Sequence, residues 1–387
     1  MNIVSTALSR EQRDLSEAVA ALMAARSSES DVRRLMAEST GGDATTWAQM
    51  AAMGLVGLII PEGFGGTGAG AAELSVVSAQ MGRALLCAPY LSTAVLTPYL
   101  LLALGDSGEC AEILPRIAAG EMIATVAFAE AGSARPPAHP NTTATVDGEW
   151  TLSGQKTYVL DAHGADLLYV SARTPCGTGI FAVRRDAPGL SVEPLSTVDQ
   201  TRRQGRVTLS GTPARLIGDP GAGDRALEAA LDRAAVALIA EQAGGAMRVT
   251  EMATDYARTR YQFGRAIGSF QAVKHLCVDM LLESQSALSA ARHVAAGFDD
   301  SPFDTADPGP SDTVDPDRAA DLALAQAFCS EAYVFAAATN IQVHGGIGFT
   351  WEHPAHLYLR RARTDAQIFG DAAWHRERYV ALREESS

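Results

Sequence analysis

The sequence predicts an α+β protein, mainly α, ordered as an N-terminal helical domain, a middle β-barrel-like domain and a C-terminal four-helix bundle, on three textures along the chain. From Ser9 to about Leu104, Ala-, Leu- and Met-rich stretches with charged faces are punctuated by turn material at Gly41–Gly42 and from Pro61 to Gly70, which is the pattern of amphipathic helices. Between Thr125 and about Ile217 come short β-branched or aromatic runs, Ala124 to Phe128, Leu167 to Ala172 and Gly179 to Val183, separated by Gly, Pro, Asp and Asn. These read as a small antiparallel β domain. Helical periodicity returns at about Asp224 and runs nearly to the C-terminus, long enough for a bundle. The expected boundaries are therefore 1–120, 121–223 and 224–387. Within the bundle, Asp299 to Asp317 carries seven aspartates and four prolines without an apolar face, so a solvated loop between two long helices is expected there.

A chain of 387 residues has room for two or three domains, and 47% hydrophobic with 20% charged residues is a globular balance. The formal charge of −14 opposes a sequence-independent grip on nucleic acid. Five cysteines, Cys87, Cys110, Cys176, Cys277 and Cys329, lack CxxC or Cys/His spacing, so neither a disulfide framework nor a metal site is expected. The first fifteen residues reach charges before any apolar core of signal-peptide length, and no run approaches about 18 uninterrupted apolar residues. A cytoplasmic protein without a membrane span is the expectation.

Three separated segments carry a family resemblance. Met53 to Gly68 reads MGLVGLIIPEGFGGTG, Arg260 to Gln271 reads RYQFGRAIGSFQ, and Gln342 to Thr350 reads QVHGGIGFT, followed by Pro354 and Arg360–Arg361. Together with the domain order they resemble the acyl-CoA dehydrogenase family across nearly the whole chain. The resemblance implies FAD as cofactor, an acyl-CoA substrate, an electron-transfer flavoprotein or similar acceptor, and a homotetramer or α2β2 heterotetramer. It assigns Arg260, Phe263, Gln271, Gln342, Gly345 and Gly346 to the flavin nucleotide of a neighbouring subunit. The chemistry is compatible: a guanidinium such as Arg260 makes paired charge-assisted bonds to a pyrophosphate, and glycines let backbone approach a cofactor. Each residue taken singly has a structural alternative, a salt-bridged Arg260, a core Phe263 or a helix C-cap at Gly345–Gly346. In the β domain, Gly154 to Val159 followed by Ala165–Asp166 resembles the strand and loop beside the flavin, so that Tyr158 or Val159 would line the isoalloxazine. Ala129 to Ser133 stands where relatives carry a longer segment, which puts the contacts made there in doubt.

The implied reaction needs a carboxylate to take the Cα proton while a hydride leaves Cβ for the flavin. Many relatives place that glutamate near the C-terminus, where this chain has Ile368-Phe369-Gly370-Asp371-Ala372, with Gly370 in the glutamate's place. Others use the helix before the Arg-Phe-Gln motif, near Ala234. In the run AAVALIAEQAGGA, from Ala234 to Ala246, the ionisable side chain is Glu241, two helical turns and about 10 Å from Ala234 on nearly the same face. The run resembles an actinobacterial branch of the family that handles bulky or branched acyl groups, including steroid side chains, with its base on this helix. Glu241 is thus the expected base, and Gly244 and Gly245 would make room for a ligand. The bland reading is a glutamate facing solvent or paired with Arg248. Asp371 is the second candidate, with a helix-cap role as its alternative, and His344 and His375 read as structural or nucleotide-contacting. A non-catalytic subunit of a heteromer, and an oxidase or monooxygenase on the same fold, are the rival functions.

Overall fold

The computed structural model describes residues 7–38, 42–299 and 315–385. Helices α1 (Arg10–Arg26) and α2 (Glu29–Ala37) begin at Ser9 and Ser28, whose side chains accept the amides of Gln12 and Asp31 while those residues reach back to the cap, satisfying donors that a helix start leaves open. Helix α3 (Ala44–Ala52) starts at Asp43. The glycine-rich stretch then folds back on itself, with Gly65 at φ 80° closing a single 3-10 turn, and leads into α4 (Ala71–Arg83). A buried π-helical turn (Tyr90–Leu96) continues into α5 (Thr97–Leu104), and α6 (Ser107–Ala118) completes the N-terminal block.

The middle domain holds β1 (Ala124–Ala127), β2 (Thr143–Asp147), β3 (Glu149–Leu160), β4 (Leu167–Thr174), β5 (Gly177–Arg184), β6 (Leu190–Pro194) and β7 (Gln204–Ile217). Strands β2, β3, β7, β5 and β4 pair in sequence around a closed ring, with β1 beside β4 and β6 beside β7. Closure removes open edges. The sheet is mixed rather than antiparallel throughout: β1 runs parallel to β4, Ala124 opposite Leu167, and β2 meets β4 in parallel at Thr143 and Arg173. Sequence alternation reports which residues face inward but not strand direction, and β1 reaches β4 by a crossover that periodicity does not record.

The 37-residue helix α7 (Gly223–Thr259) is the axis of the C-terminal block. A two-residue hairpin, β8 (Tyr261–Gln262) and β9 (Arg265–Ala266), turns through Phe263 and Gly264 at φ 53° and 77° and leads to α8 (Gln271–Asp299), α9 (Pro316–His344), α10 (Ala355–Asp365) and α11 (Ala372–Glu385). Both central residues of the hairpin are left-handed, as a type I′ turn requires. The expected acidic loop lies almost wholly outside the described residues, although α8 extends to Asp299 and α9 starts at Pro316. The stretch Pro316–Phe349 is long and apolar enough to cross a membrane, but 67% of its most apolar window is buried inside the protein, where it serves as a bundle core helix.

Small residues set how closely these helices meet. A Cβ built on Gly244 would stand 2.0 Å from the Ala79 carbonyl oxygen of α4, and one on Gly245 2.5 Å from Cζ of the Tyr333 ring of α9. The expectation that these glycines make room for a ligand is therefore corrected: backbone and a tyrosine ring fill that room. Gly→Ala inside a helix ordinarily gains about 1 kcal/mol. Gly244→Ala is expected instead to destabilise by about 2 kcal/mol, because backbone overlap outweighs propensity; chemical denaturation measures the sign.

Candidate active site

A cleft of about 550 Å³ opens between the barrel and the C-terminal block, lined among others by Phe128, Thr157, Tyr158, Val159, Gln367 and Phe369. β3 is irregular where it lines this cleft. The register with β7 shifts between Lys156 and Val159, and Tyr158 takes φ 55°, a left-handed conformation that non-glycine residues seldom adopt. Tyr158 is left 46% exposed, while Val159 turns into the barrel core at 2%. The two residues expected beside a flavin ring therefore both line the cleft, on opposite terms.

Beneath it lies a buried ion pair. Lys156 Nζ donates to Glu130 Oε1 at 2.8 Å, to Ser171 Oγ at 3.1 Å and to the Phe128 carbonyl at 3.3 Å. The Glu130 carboxylate also accepts the Asn141 and Thr142 amides and the Thr142 hydroxyl. Burial works to raise Glu130, but Lys156 and the two amides outweigh it and hold the carboxyl at about 2. Sequence reading left the shortened Ala129–Ser133 segment without a role; its glutamate clamps the cleft floor. Because the folded value lies below the ordinary one of 4.5, this stabilisation is present above pH 4.5 and lost as pH falls toward 2. Glu130→Gln is expected to cost about 3 kcal/mol near neutrality by stranding the Lys156 ammonium, with the deficit shrinking in acid, as followed by denaturation at several pH values.

Glu241 is turned inward. Its Oε1 accepts from Arg202 Nη2 and from Arg361 Nη1, both at 2.5 Å, and the side chain is 12% exposed. Among the described residues no hydrogen bond reaches Oε2. Arg361, on α10, also donates to Asp199 Oδ2, to Thr201 Oγ1 and to the Thr201 and Leu86 carbonyls, so one guanidinium joins all three blocks. Arg202 Nε lies 3.1 Å from Asp365 Oδ1. Burial works to raise Glu241, yet the two guanidiniums prevail and hold it below its ordinary value. For Asp365 and Asp161 burial prevails, and both carboxyls are pushed up. The alternative pairing with Arg248 does not occur: Arg248 lies 3.6 Å from Glu251. Sequence reading named Arg361 as part of the third motif but not as a partner of Glu241, and did not single out Arg202, because each lies far along the chain from Glu241.

The C-terminal position is closed to a base. A Cβ on Gly370 (φ 119°) would meet Trp374, Arg135 and His375 at 3.0 to 3.2 Å. Arg135 stacks 3.6 Å over the Trp374 ring and donates to the Phe369 carbonyl. Asp371 is exposed and accepts the Trp374 amide, which makes it the cap of α11. Burial lowers His375 to about 3, so its imidazole is neutral.

The remaining motif residues gather at one end of the bundle. Tyr256, one turn before Arg260, stacks on His344 at 4.3 Å, which brings the hairpin and the glycine segment together. His344 Nδ1 lies 2.8 Å from the Asn340 carbonyl, fixing its ring. Phe263 is 91% exposed, and Arg260 and Gln342 are also exposed. Gly345 and Gly346 present bare backbone where an added Cβ would meet no atom within 4 Å. These residues do not reach the cleft of their own chain. They fit a flavin nucleotide presented from outside, with a guanidinium for phosphate, an aromatic ring and open backbone, while the cleft's aromatic and aliphatic walls fit the ring system.

Residues 9–121, 125–211 and 221–381 match, in order, the N-terminal, middle and C-terminal domains of acyl-CoA dehydrogenase. The chain is similar to acyl-CoA dehydrogenase IpdE2 of Mycobacterium tuberculosis, 33% identical over 359 residues and 92% of each sequence. Among solved structures it is similar to the Tcur3481-Tcur3483 steroid ACAD at TM-score 0.82 and 29% identity, covering 97% of this chain and 98% of that one. It is also similar to the ChsE4-ChsE5 complex of Mycobacterium tuberculosis, at TM-score 0.87 and 26% identity over 99% and 100%. With all three domains matched in sequence and in structure, the chain belongs to the acyl-CoA dehydrogenase family of FAD-dependent enzymes.

Proposed function

We propose that the chain oxidises the Cα–Cβ bond of a bulky or branched acyl-CoA, such as one bearing a steroid side chain, with Glu241 taking the Cα proton on Oε2. The observation that carries this reading is a buried carboxylate whose two oxygens differ: both arginines bond to Oε1, and no described group bonds to Oε2. Holding the group ionised keeps it ready to accept a proton, while the clamp fixes which oxygen does so. Bound FAD supplies the acceptor for the hydride from Cβ. Tyr158 and Val159 would flank its ring, the barrel wall would exclude water, and the electrons would leave to a second flavoprotein. The likeness to a steroid ACAD favours a large acyl group.

Arg260, Phe263, Gln271, Gln342, Gly345 and Gly346 are proposed to complete the FAD site of a neighbouring subunit, in a homotetramer or an α2β2 heterotetramer. One observation favours a second reading, in which this chain completes a partner's site and does no chemistry itself: two arginines on one carboxylate depress its basicity. The paired names of two structural relatives point the same way.

Glu241→Gln is expected to keep its flavin and to lose anaerobic flavin reduction by an acyl-CoA about a thousandfold. Near-normal bleaching in that variant would reassign the base, and a wild-type chain whose bound flavin no acyl-CoA bleaches unless a second subunit is supplied would establish the non-catalytic reading. Phe263→Ala, at a 91% exposed ring, should leave the melting temperature of the separated chain unchanged while lowering bound FAD and tetramer content on gel filtration. Unchanged flavin content would remove the proposed contact across subunits.

A further inference from the structure

Asp365 ends α10 with its side chain turned inward, only 1% exposed. Its Oδ1 stands 3.1 Å from Arg202 Nε, and the same guanidinium gives its Nη2 to Glu241 Oε1 at 2.5 Å. Arg202 is therefore shared between two carboxyls. Glu241 takes a hydrogen bond from it, whereas among the described residues neither carboxyl oxygen of Asp365 accepts one. The Asp365 carbonyl accepts Gln242 Nε2 at 3.1 Å, which anchors it to α7 one residue from Glu241.

Three features oppose a negative charge on Asp365. The cluster sets two guanidiniums, Arg202 and Arg361, against four carboxyls, Asp161, Asp199, Glu241 and Asp365, largely withdrawn from solvent, so the four are not all ionised together. Asp199 is held as an anion by Arg361 and by the Thr201 amide and hydroxyl, and Glu241 by both arginines, while Asp365 has no hydrogen bond to favour its charged form. It also stands on the last residue of a helix, where the carbonyl ends of the peptide dipoles disfavour a carboxylate. The groups that bear on it are Arg202 and Asp199 from the connection between β6 and β7, Glu241 from α7, Arg361 from α10 itself and the neutral Tyr333 from α9. Burial outweighs the arginines and pushes Asp365 up to about 7.

On the reading that Glu241 is the base, we propose that Asp365 is a positioning residue for it: whether Asp365 carries a proton sets, through Arg202, how tightly that guanidinium holds Glu241 and so how strongly Glu241 draws a proton from substrate. With Asp365 protonated, the charge of Arg202 falls undivided on Glu241 and weakens it as a base. With Asp365 ionised, Arg202 serves two anions and Glu241 gains basicity. Glu241 itself stays ionised at both settings, so the control acts on its strength and not on its population.

Infrared titration of the FAD-loaded protein, in the assembly in which it is isolated, reads the protonated carboxyl directly. A carboxylic-acid band is expected to fade with a midpoint at about pH 7 in the wild type, and this titrating component should be missing from Asp365→Asn. Because coupling is reciprocal, Glu241→Gln, which removes the neighbouring anion, should lower the midpoint by about one pH unit. No titrating component, or a midpoint that Glu241→Gln leaves in place, would overturn the proposal. Stopped-flow flavin reduction by an acyl-CoA separates positioning from packing: the wild-type rate should rise about tenfold across the midpoint, while Asp365→Asn keeps the acid-side rate of the wild type throughout. A variant profile that runs parallel to the wild type's would overturn it as well. If Asp365→Asn does not fold, the shift of the band in Glu241→Gln carries the test. A wild type whose flavin no acyl-CoA bleaches at any pH would defeat the dehydrogenase reading alone, since that same shift still decides whether the two carboxyls are coupled.

Discussion

The approach of α7 to α4 is the constraint on which the site depends. Gly82 faces the Glu241 backbone so closely that a Cβ there would lie 2.0 Å from its carbonyl oxygen, and Gly244 faces Ala79 at the same distance. With the two helices in backbone contact, the Glu241 side chain is directed into the interior rather than toward solvent. There it meets arginines brought by the barrel and by α10. A larger residue at either glycine would part the helices, and the carboxylate would lose its partners with them.

The charged cluster this creates is expensive to bury, and its geometry shows how the cost is offset. Arg361, 2% exposed, distributes its donors among Asp199, Thr201, Leu86 and Glu241, so no part of the guanidinium is wasted on a poor contact. The same residue ties the N-terminal block, the barrel and the bundle into one arrangement. Glu130 and Lys156 perform a parallel service beneath the cleft, fastening the segment after β1 to β3 and β4. Ion pairs of this kind contribute less to net stability than to fixing which arrangement forms.

The surface tells a complementary story. Residues that the family assigns to the nucleotide stand exposed at one end of the bundle, and the cleft they would serve is not their own. In the proposed assembly a single chain would carry half of each of two sites. Phe263 is held outward by a hairpin whose two central residues are left-handed, a conformation that costs free energy at a non-glycine residue.

The order of the domains and the glycine-bearing motifs were legible in the sequence, and Glu241 could be nominated over the empty position at Gly370, because periodicity and local spacing are written in neighbouring residues. The inward face of Glu241 could be anticipated from the apolar run around it. Its partners could not: Arg202 and Arg361 lie 39 and 120 residues away and come together only when the barrel and α10 pack on α7. The same holds for Gly244 and Gly245, whose small size the sequence declared but whose neighbours, Ala79 and Tyr333, it did not. The parallel pairing of β1 with β4, the left-handed Tyr158 and the clasp of Glu130 by Lys156 belong to that class. Local patterning determined the fold class and nominated the carboxylate; tertiary packing alone decided what surrounds it, since burial and charge neighbours are properties of residues that only folding makes adjacent.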